Sequence, residues 1–503
     1  MMSSLYIGAT GLKTHGEGLG VVGHNIANVS TIGYKQQSMQ FDDIFYANLP
    51  PGGGWESQEG ARVALSQLGM GSRPGAVRTL FATEGPIESG TSIFDMAILG
   101  KGFFQVTDPN TNIPYYTRAG NFRLDNTGTL RDANNYTVTG IPINPEQGAP
   151  LSGPLSGGGP ITIDVFGTIP PKASSQLAVY MNLGFTQDAT QSTTDPYFSL
   201  LQSWQSTATP PLGTNSYGFA QAIKLYDAAG NSHELTLYLD AAPDTAQGRM
   251  MEFILAETPP NPASALPGEG LRMAGTLSFD KSGQLTGMSA FTPNGVSQTL
   301  SDWTPAQLAG GLPQFELAGS LVTLNLGVSG QGGWQQAPAS AADVGLLPGR
   351  LPTLAQAQFS PRASTAYPGS TSLRGLEQNG YAEGRLMDIE INAKGVVTGV
   401  YSNAQNLDLY QIPLCRFTSE DGLHYEGKNL FSATPGKTGT MEMGVPDTEN
   451  YGAIMADHIE GSNVDLSREI TLLIIMQRGF QMNSKTITTS DTMLQRAIEL
   501  KRN

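Results

Sequence analysis

Apolar positions recur with a helical period at both ends of the chain and with a strand-and-turn rhythm between them. In residues 1–29, Leu5, Leu12, Leu19, Val22, Ile26 and Val29 return at threes, fours and sevens, which predicts an amphipathic helix. Near the other end, Leu466, Ile470, Leu473, Phe480, Ile487, Leu494 and Ile498 fall on the a and d positions of one heptad frame. The remaining a positions of that frame are polar: Gln477, Ser484 and Asp491. A helix from Asp465 to Leu500 would be about 54 Å long at 1.5 Å per residue. Ser462 or Asn463 can cap its start, and Asp465 and Glu469 lie near the positive end of its dipole. So long a helix with so narrow an apolar seam calls for partner helices, not a globular core.

The N-terminal stripe is interrupted by Gly8, Gly11, Gly16, Gly18, Gly20 and Gly23. Each costs about 1 kcal/mol relative to Ala in a helix interior. The expectation is a segment that orders only on assembly, where glycine permits neighbouring backbones to approach closely.

Between the ends the punctuation is that of β-structure. Asp or Asn, two residues, then Gly recurs at Asp125–Gly128, Asp227–Gly230, Asp280–Gly283 and Asn392–Gly395, with strand-prone flanks such as Leu235 to Leu239 and Leu386 to Ile391. The acid or amide opens a turn through its side chain, and Gly supplies the left-handed position that returns the chain. The D-x-D-x-D-G spacing of a calcium loop is missing at all four, so hairpins are expected.

Loose, Gly- and Pro-rich runs at 49–60, 145–160 and 355–372 mark joints. The predicted fold is mainly β with α-helical termini, as nested, discontinuous domains. Residues 1–48 and 457–503 form a helical assembly domain whose helices pair as a coiled coil on assembly. Residues 49–78 connect; 79–150 and 371–456 form an inner β-domain; 151–370 form an outer β insert. Residues 1–48 carry a net charge of −1 and 457–503 a net charge of zero, so −14 of the total −15 lies between them. A neutral helical base under an acidic body suits an assembly whose base packs tightly while its exterior stays solvated.

Composition narrows the function. With 61 Gly, 32 Pro and only 14% charged residues in 503, the chain suits short strands and many turns, and a secreted or surface protein. Its acidity argues against a nucleic-acid partner. A single cysteine, Cys415, excludes an internal disulfide and a Cys-based metal site. The longest apolar run near either end, Leu472 to Met476, falls far short of the ~20 residues that span a bilayer, so no membrane insertion is expected. The N-terminus has neither the basic start nor the apolar core of a signal peptide, so any export would use no cleaved signal.

Candidate chemistry falls away on context. Gly18 to Gly23 matches G-x-G-x-x-G, with Asp42 and Asp43 downstream, but no strand leads into it and no βαβ alternation follows. His15, His24, His233, His424 and His458 show no metal-helix spacing, and no G-x-S-x-G elbow occurs. Gly100-Lys101-Gly102 lacks the G-K-[ST] ending of a phosphate loop. No catalytic, cofactor or metal residue is assigned, and an enzyme is not expected. The candidate functional residues are those of the two stripes, read as an assembly interface: Leu5, Leu12, Leu19, Val22, Ile26, Leu466, Ile470, Leu473, Phe480, Ile487, Leu494 and Ile498.

Several segments have a familiar look. Asn25-Ile26-Ala27-Asn28 with Thr31-Ile32-Gly33-Tyr34-Lys35 resembles the signature after the first helix of the bacterial flagellar axial proteins, the rod and hook family. Gly100 to Val106 and Tyr116-Thr117-Arg118-Ala119-Gly120-Asn121-Phe122 are similar to that family's inner β-domain. Ser462 to Leu466 and Gln477 to Lys485 resemble its final helix, and Ala178 to Leu183 the start of a hook-type outer domain. The large central insert favours the hook branch over the distal rod. One departure is the Gly-rich first helix, where the family more often uses Ala.

The resemblance implies a homopolymer whose terminal helices line an inner tube around an export channel, a flexible universal joint passing motor torque to the filament. It implies a place outside the cell in the flagellum. The implied partners are the rod at one end, the hook–filament junction protein at the other, the hook cap and the export apparatus. From another class, a secreted β-rich enzyme acting on polysaccharide remains open, and a pocket of facing carboxylates and aromatics would mark it.

Overall fold

The computed structural model describes residues 2–48, 67–143, 157–184, 192–246, 248–260 and 266–502. The joint expected at 49–60 lies outside the described residues, as does most of the one at 145–160. Among the described residues strand dominates, and the long helices lie at the ends: α1 (Met2–Ala27) and α2 (Leu466–Arg502). The chain divides into two compact units. The first comprises residues 1–167, 386–401 and 406–503; the second comprises 168–385 and 402–405.

In the first unit, α1 lies along α2. The segment expected to order only on assembly is thus a continuous helix within the single chain, because α2 supplies the packing that its glycines need. Strand rather than helix follows: β1 (Gln37–Asp43) pairs antiparallel with β2 (Ser72–Thr79). This ribbon is held on α1, where the buried Thr14 hydroxyl donates to Thr10 O at 2.8 Å and to Ser72 O at 3.2 Å. The rest of the unit is an antiparallel sheet that interleaves strands from before and after the second unit in sequence; Ile141, for example, pairs with Gln411. Its core gathers Met96, Phe104, Val106, Phe122, Val138, Val397 and Leu414. A separate aromatic cluster stacks Phe81, Phe103 and Phe431 edge to face at 5.3–5.9 Å between ring centroids.

The second unit is built on a six-stranded antiparallel meander: β3 (Phe219–Tyr226), β4 (Ser232–Thr245), β5 (Gly248–Glu257), β6 (Leu271–Asp280), β7 (Leu285–Pro293) and β8 (Trp303–Pro305). Side chains alternate across it. Leu235, Leu237 and Leu239 face one core, shared with Val179, Met181, Phe315 and Leu324 of a five-stranded sheet. Tyr238, Ala242, Met250 and Ile254 face a second core, covered by Phe198, Leu200, Trp204, Leu212 and Leu351. Ser372–Gln378, expected in the inner domain, is an edge strand of this unit's five-stranded sheet.

The four expected turns all form, each joining an antiparallel pair. Asp227 Oδ1, for example, accepts from Ala229 N at 2.9 Å and Asn231 N at 2.8 Å, while Gly230 sits at φ +86°. Asp125, Asp280 and Asn392 repeat the arrangement.

Candidate assembly interface

The contact between α1 and α2 is made by the glycines. The buried line along α1 runs Gly8, Gly11, Thr14, Gly18, Val22 and Asn25, again at threes and fours. A Cβ placed on Gly8 would stand 2.9 Å from Ile487 Cγ1, and one on Gly11 would stand 2.6 Å from Asn483 Oδ1. One on Gly18 would come within 3.2 Å of Met476 Sδ. From the other side, a Cβ on Gly479 would reach 2.6 Å from the His15 ring. Polar contacts set the register, with Ser4 Oγ 3.2 Å from Ser490 Oγ and His15 Nδ1 3.5 Å from Met476 Sδ.

Several positions of the expected seam lie beside this line and not on it. Leu5, Leu12, Leu19 and Ile26 are half-buried flanks, and Val22 alone of the α1 set is buried. In α2, Leu473, Phe480, Ile487 and Leu494 are half-buried, whereas Leu466, Ile470 and Ile498 are 44%, 45% and 65% exposed. The inward a-type positions are instead Glu469, Met476, Asn483 and Ser490, one residue before those of the expected frame. The frame shifted because glycine, the residue at the contact, carries no hydrophobic signal.

Where the helices meet the β-structure, a buried polar network pins them. Glu460, just before α2, lies between two cations, with Lys35 Nζ at 2.6 Å and Arg118 Nη1 at 3.4 Å, all three side chains essentially inaccessible. Its carboxylate also accepts from Gly85 N at 3.0 Å. Lys35 donates to Thr83 O at 2.8 Å, and Arg118 donates to Gly100 O at 2.8 Å and covers the Phe103 ring at 5.3 Å.

A second acid, Glu469 in the first turn of α2, is also buried and receives Asn25 Nδ2 at 3.2 Å as well as Gln36 Nε2. Asn25 Oδ1 in turn accepts from Tyr34 OH and Gln37 N, both at 3.0 Å. Asn463 Oδ1 accepts from Gln36 N at 2.6 Å, and its amide donates to Leu80 O and Thr83 O. Burial, then the Arg118 charge, lowers the Lys35 pKa, and Glu460 pulls it back up. Burial lowers that of Arg118 and raises that of the Tyr34 phenol. With Glu460 matched by two cations, the network is paired rather than a lone buried charge.

Elsewhere the candidates for chemistry are held structurally. Cys415 is buried, and its thiol is pushed up to about 12 by that burial. His233 is clamped by Glu257 at 2.8 Å and Asp227 at 3.4 Å. A cavity of about 520 Å³ in the second unit is lined by Glu269, Arg272, Thr292, Gln314 and Glu316 among others. Among the described residues, no group of three or more His, Cys, Asp or Glu is arranged to hold a metal ion. No described helix is long and apolar enough to cross a membrane.

Three family models match successive parts of the chain: the flagellar hook protein FlgE/F/G D1 domain at 97–175, the flagellar basal body protein FlaE D2 domain at 200–381, and the C-terminal region of the flagellar basal body rod FlgEFG proteins at 455–500. The chain is 29% identical over 502 residues to the flagellar hook protein FlgE of Borreliella burgdorferi, covering 100% of both. It is 27% identical over 516 residues to that of Treponema pallidum, again covering 100% of both. The chain belongs to the flagellar hook protein family. Among solved structures, Helicobacter pylori flagellar hook protein FlgE2 aligns with a TM-score of 0.45 and 14% identity, over 74% of this chain and 100% of that one.

The network residues that periodicity missed are the polar ones. Asn25, Tyr34, Lys35, Arg118 and Asn463 stand in the segments that carry the family resemblance, and Glu469 stands at the expected positive end of the final helix, but Glu460 shows no pattern of its own. The available signal was sparse charge: in a chain with only 14% charged residues, an acid in Ile-Glu-Gly-Ser-Asn before a long helix is a candidate for burial.

Proposed function

We propose that this chain, a structural hook subunit, polymerises into a flexible tube through its terminal helices, acting as a universal joint between motor and filament. The observation that carries the reading is an unpartnered apolar surface on α2. Leu466, Ile470 and Ile474 follow one another at four-residue steps and are 44–45% exposed, and Ile475, Met482 and Met493 are more exposed still. With the α1 contact already made inside the chain, this face and the half-buried Leu5, Leu12 and Leu19 flanks are what remain for neighbouring copies. We assign ten of the twelve stripe residues named above to that interface; Val22 is buried and Ile487 meets Gly8, both within the chain. The terminal helices form the inner tube, the first-unit β-structure the inner domain, and the second unit the outer domain.

On the same reading the chain is not an enzyme and leaves the cell by the flagellar export route, without a cleaved signal. In the flagellum it joins the rod on one side and the hook–filament junction protein on the other, and grows under a cap. Full-length relatives named as hook proteins favour this over the distal rod and over a polysaccharide-acting enzyme.

Concentrating the purified chain in a precipitating salt and imaging it by negative-stain electron microscopy tests the reading. Tubes are expected from the full chain and none from a chain lacking 1–48 and 457–503; tubes from the truncated chain would overturn it. Leu473→Asp and Phe480→Asp are expected to abolish tubes while leaving the β-structure folded, as judged by circular dichroism.

A further inference from the structure

Asparagine followed by glycine occurs at Asn294-Gly295 and at Asn379-Gly380, and both pairs lie in the second unit. Such a pair has a chemistry of its own. The backbone nitrogen of the glycine can attack the side-chain amide of the asparagine, because glycine has no side chain to block the approach. The reaction needs a side chain free to turn toward that nitrogen, and a nitrogen that is not already engaged as a donor.

The fold treats the two pairs differently. Asn294 follows β7 directly, in the turn that leads to β8, and both Asn294 and Gly295 are exposed. The Asn294 N–H donates to Asp302 O at 2.8 Å, which anchors the turn on one side only. Among the described residues, neither the Asn294 side chain nor the Gly295 N–H has a hydrogen-bond partner. Gly295 sits at φ +93°, and a Cβ built on it would meet nothing within 4 Å. Nothing here holds the two reacting groups apart.

Asn379 is held. Its Oδ1 accepts from Ser175 N at 2.9 Å and from Gln176 N at 3.1 Å, and its Nδ2 donates to Ser175 Oγ at 2.9 Å. The Gly380 nitrogen donates to Gln378 Oε1 at 2.7 Å. Gly380 is buried, and a Cβ on it would stand 2.2 Å from Ser174 Oγ. The neighbouring Gln378 is paired in register with Leu177, so the sheet closes over this site.

We propose that Asn294 is a modification site, converting spontaneously to a carboxylate by deamidation, while the fold protects Asn379. Solvent base takes the proton from Gly295 N, whose electron pair then forms a bond to Asn294 Cγ. The Cγ–Nδ2 bond breaks, and Nδ2 takes a proton from solvent and leaves as ammonia. Water opens the resulting cyclic imide. Attack at Cγ gives an ordinary aspartate, and attack at the backbone carbonyl gives an isoaspartate. The balance is one water consumed and one ammonia released, with no change of oxidation state. Either product adds a negative charge to a chain of net charge −15, in a cavity that Asn294 and Gly295 line together with Glu269, Arg272 and Glu316.

The test follows the native full-length chain in mildly alkaline buffer beside a second sample kept unfolded in guanidinium chloride. Incubation continues until the unfolded sample has converted at both asparagines, and peptides are then mapped by mass spectrometry after digestion at acidic pH. In the folded chain, loss of the amide at Asn294 is expected to be about tenfold or more faster than at Asn379. In the unfolded chain the two rates are expected to lie close together. Retention of the Asn294 amide in the folded chain overturns the proposal, as do equal rates at the two sites. A preference for Asn294 that is equally large in the unfolded chain also overturns it, because sequence neighbours and not the fold would then decide.

Discussion

The base of the first unit and the meander of the second are held together by different means. At the base, helix meets helix through glycine, and helix meets sheet through matched polar groups. In the meander, apolar side chains fill both faces of the sheet and one polar row, Asp240, Glu252, Thr276 and Ser289, interrupts them. The contrast is sharpest in two glutamates of equal burial. Glu460 lies between Lys35 and Arg118, at 2.6 and 3.4 Å. Glu252 faces another acid and is favoured as the neutral form. At like burial the two glutamates thus have opposite neighbours, cations around one and an acid beside the other.

Glu460→Gln breaks the contrast hardest, since it strands two buried cations without a counter-charge. The expected loss is about 3–5 kcal/mol in denaturant unfolding of the chain, and a loss under about 1 kcal/mol would mean the network is not what holds the junction. Asn25→Ala removes a donor from Glu469 and the acceptor of Tyr34, with an expected cost of about 1–3 kcal/mol by the same measurement. The glycine contact predicts opposite signs for one substitution along one helix. Gly11→Ala drives a methyl against Asn483 and lowers helicity by circular dichroism, whereas Gly20→Ala meets nothing within 4 Å and stabilises the helix by about 1 kcal/mol. At the small end, Glu377→Ala breaks the exposed Arg362 pair of the second unit and is expected to change stability by less than about 0.5 kcal/mol.

Much of this was legible from the sequence, and unevenly so. The four turns read correctly because their chemistry is local: an acid or amide accepts from amides two and four residues on, and glycine takes positive φ. The C-terminal helix read correctly in extent, since α2 starts one residue after the expected Asp465, whereas α1 is formed where order only on assembly was expected. Their seam did not read correctly, because a period built on Leu and Ile cannot see Gly8, Gly11 and Gly18. The two-faced core of the second unit was equally hidden. In β5, Met250 to Ala256 is apolar on both faces, so alternation vanishes. Glu252, the lone acid in that run, was the one clue to the row. The Lys35–Glu460–Arg118 network joins residues 425 and 342 positions apart, beyond the reach of any local pattern.

The glycine contact also has a consequence in time. Six glycines leave α1 with little capacity to hold a helix alone, so it needs α2 as a template. The two are separated by most of the chain, α1 being translated well before its template. Through synthesis, the α1–α2 contact therefore waits unformed. A chain still being made has no completed helical base.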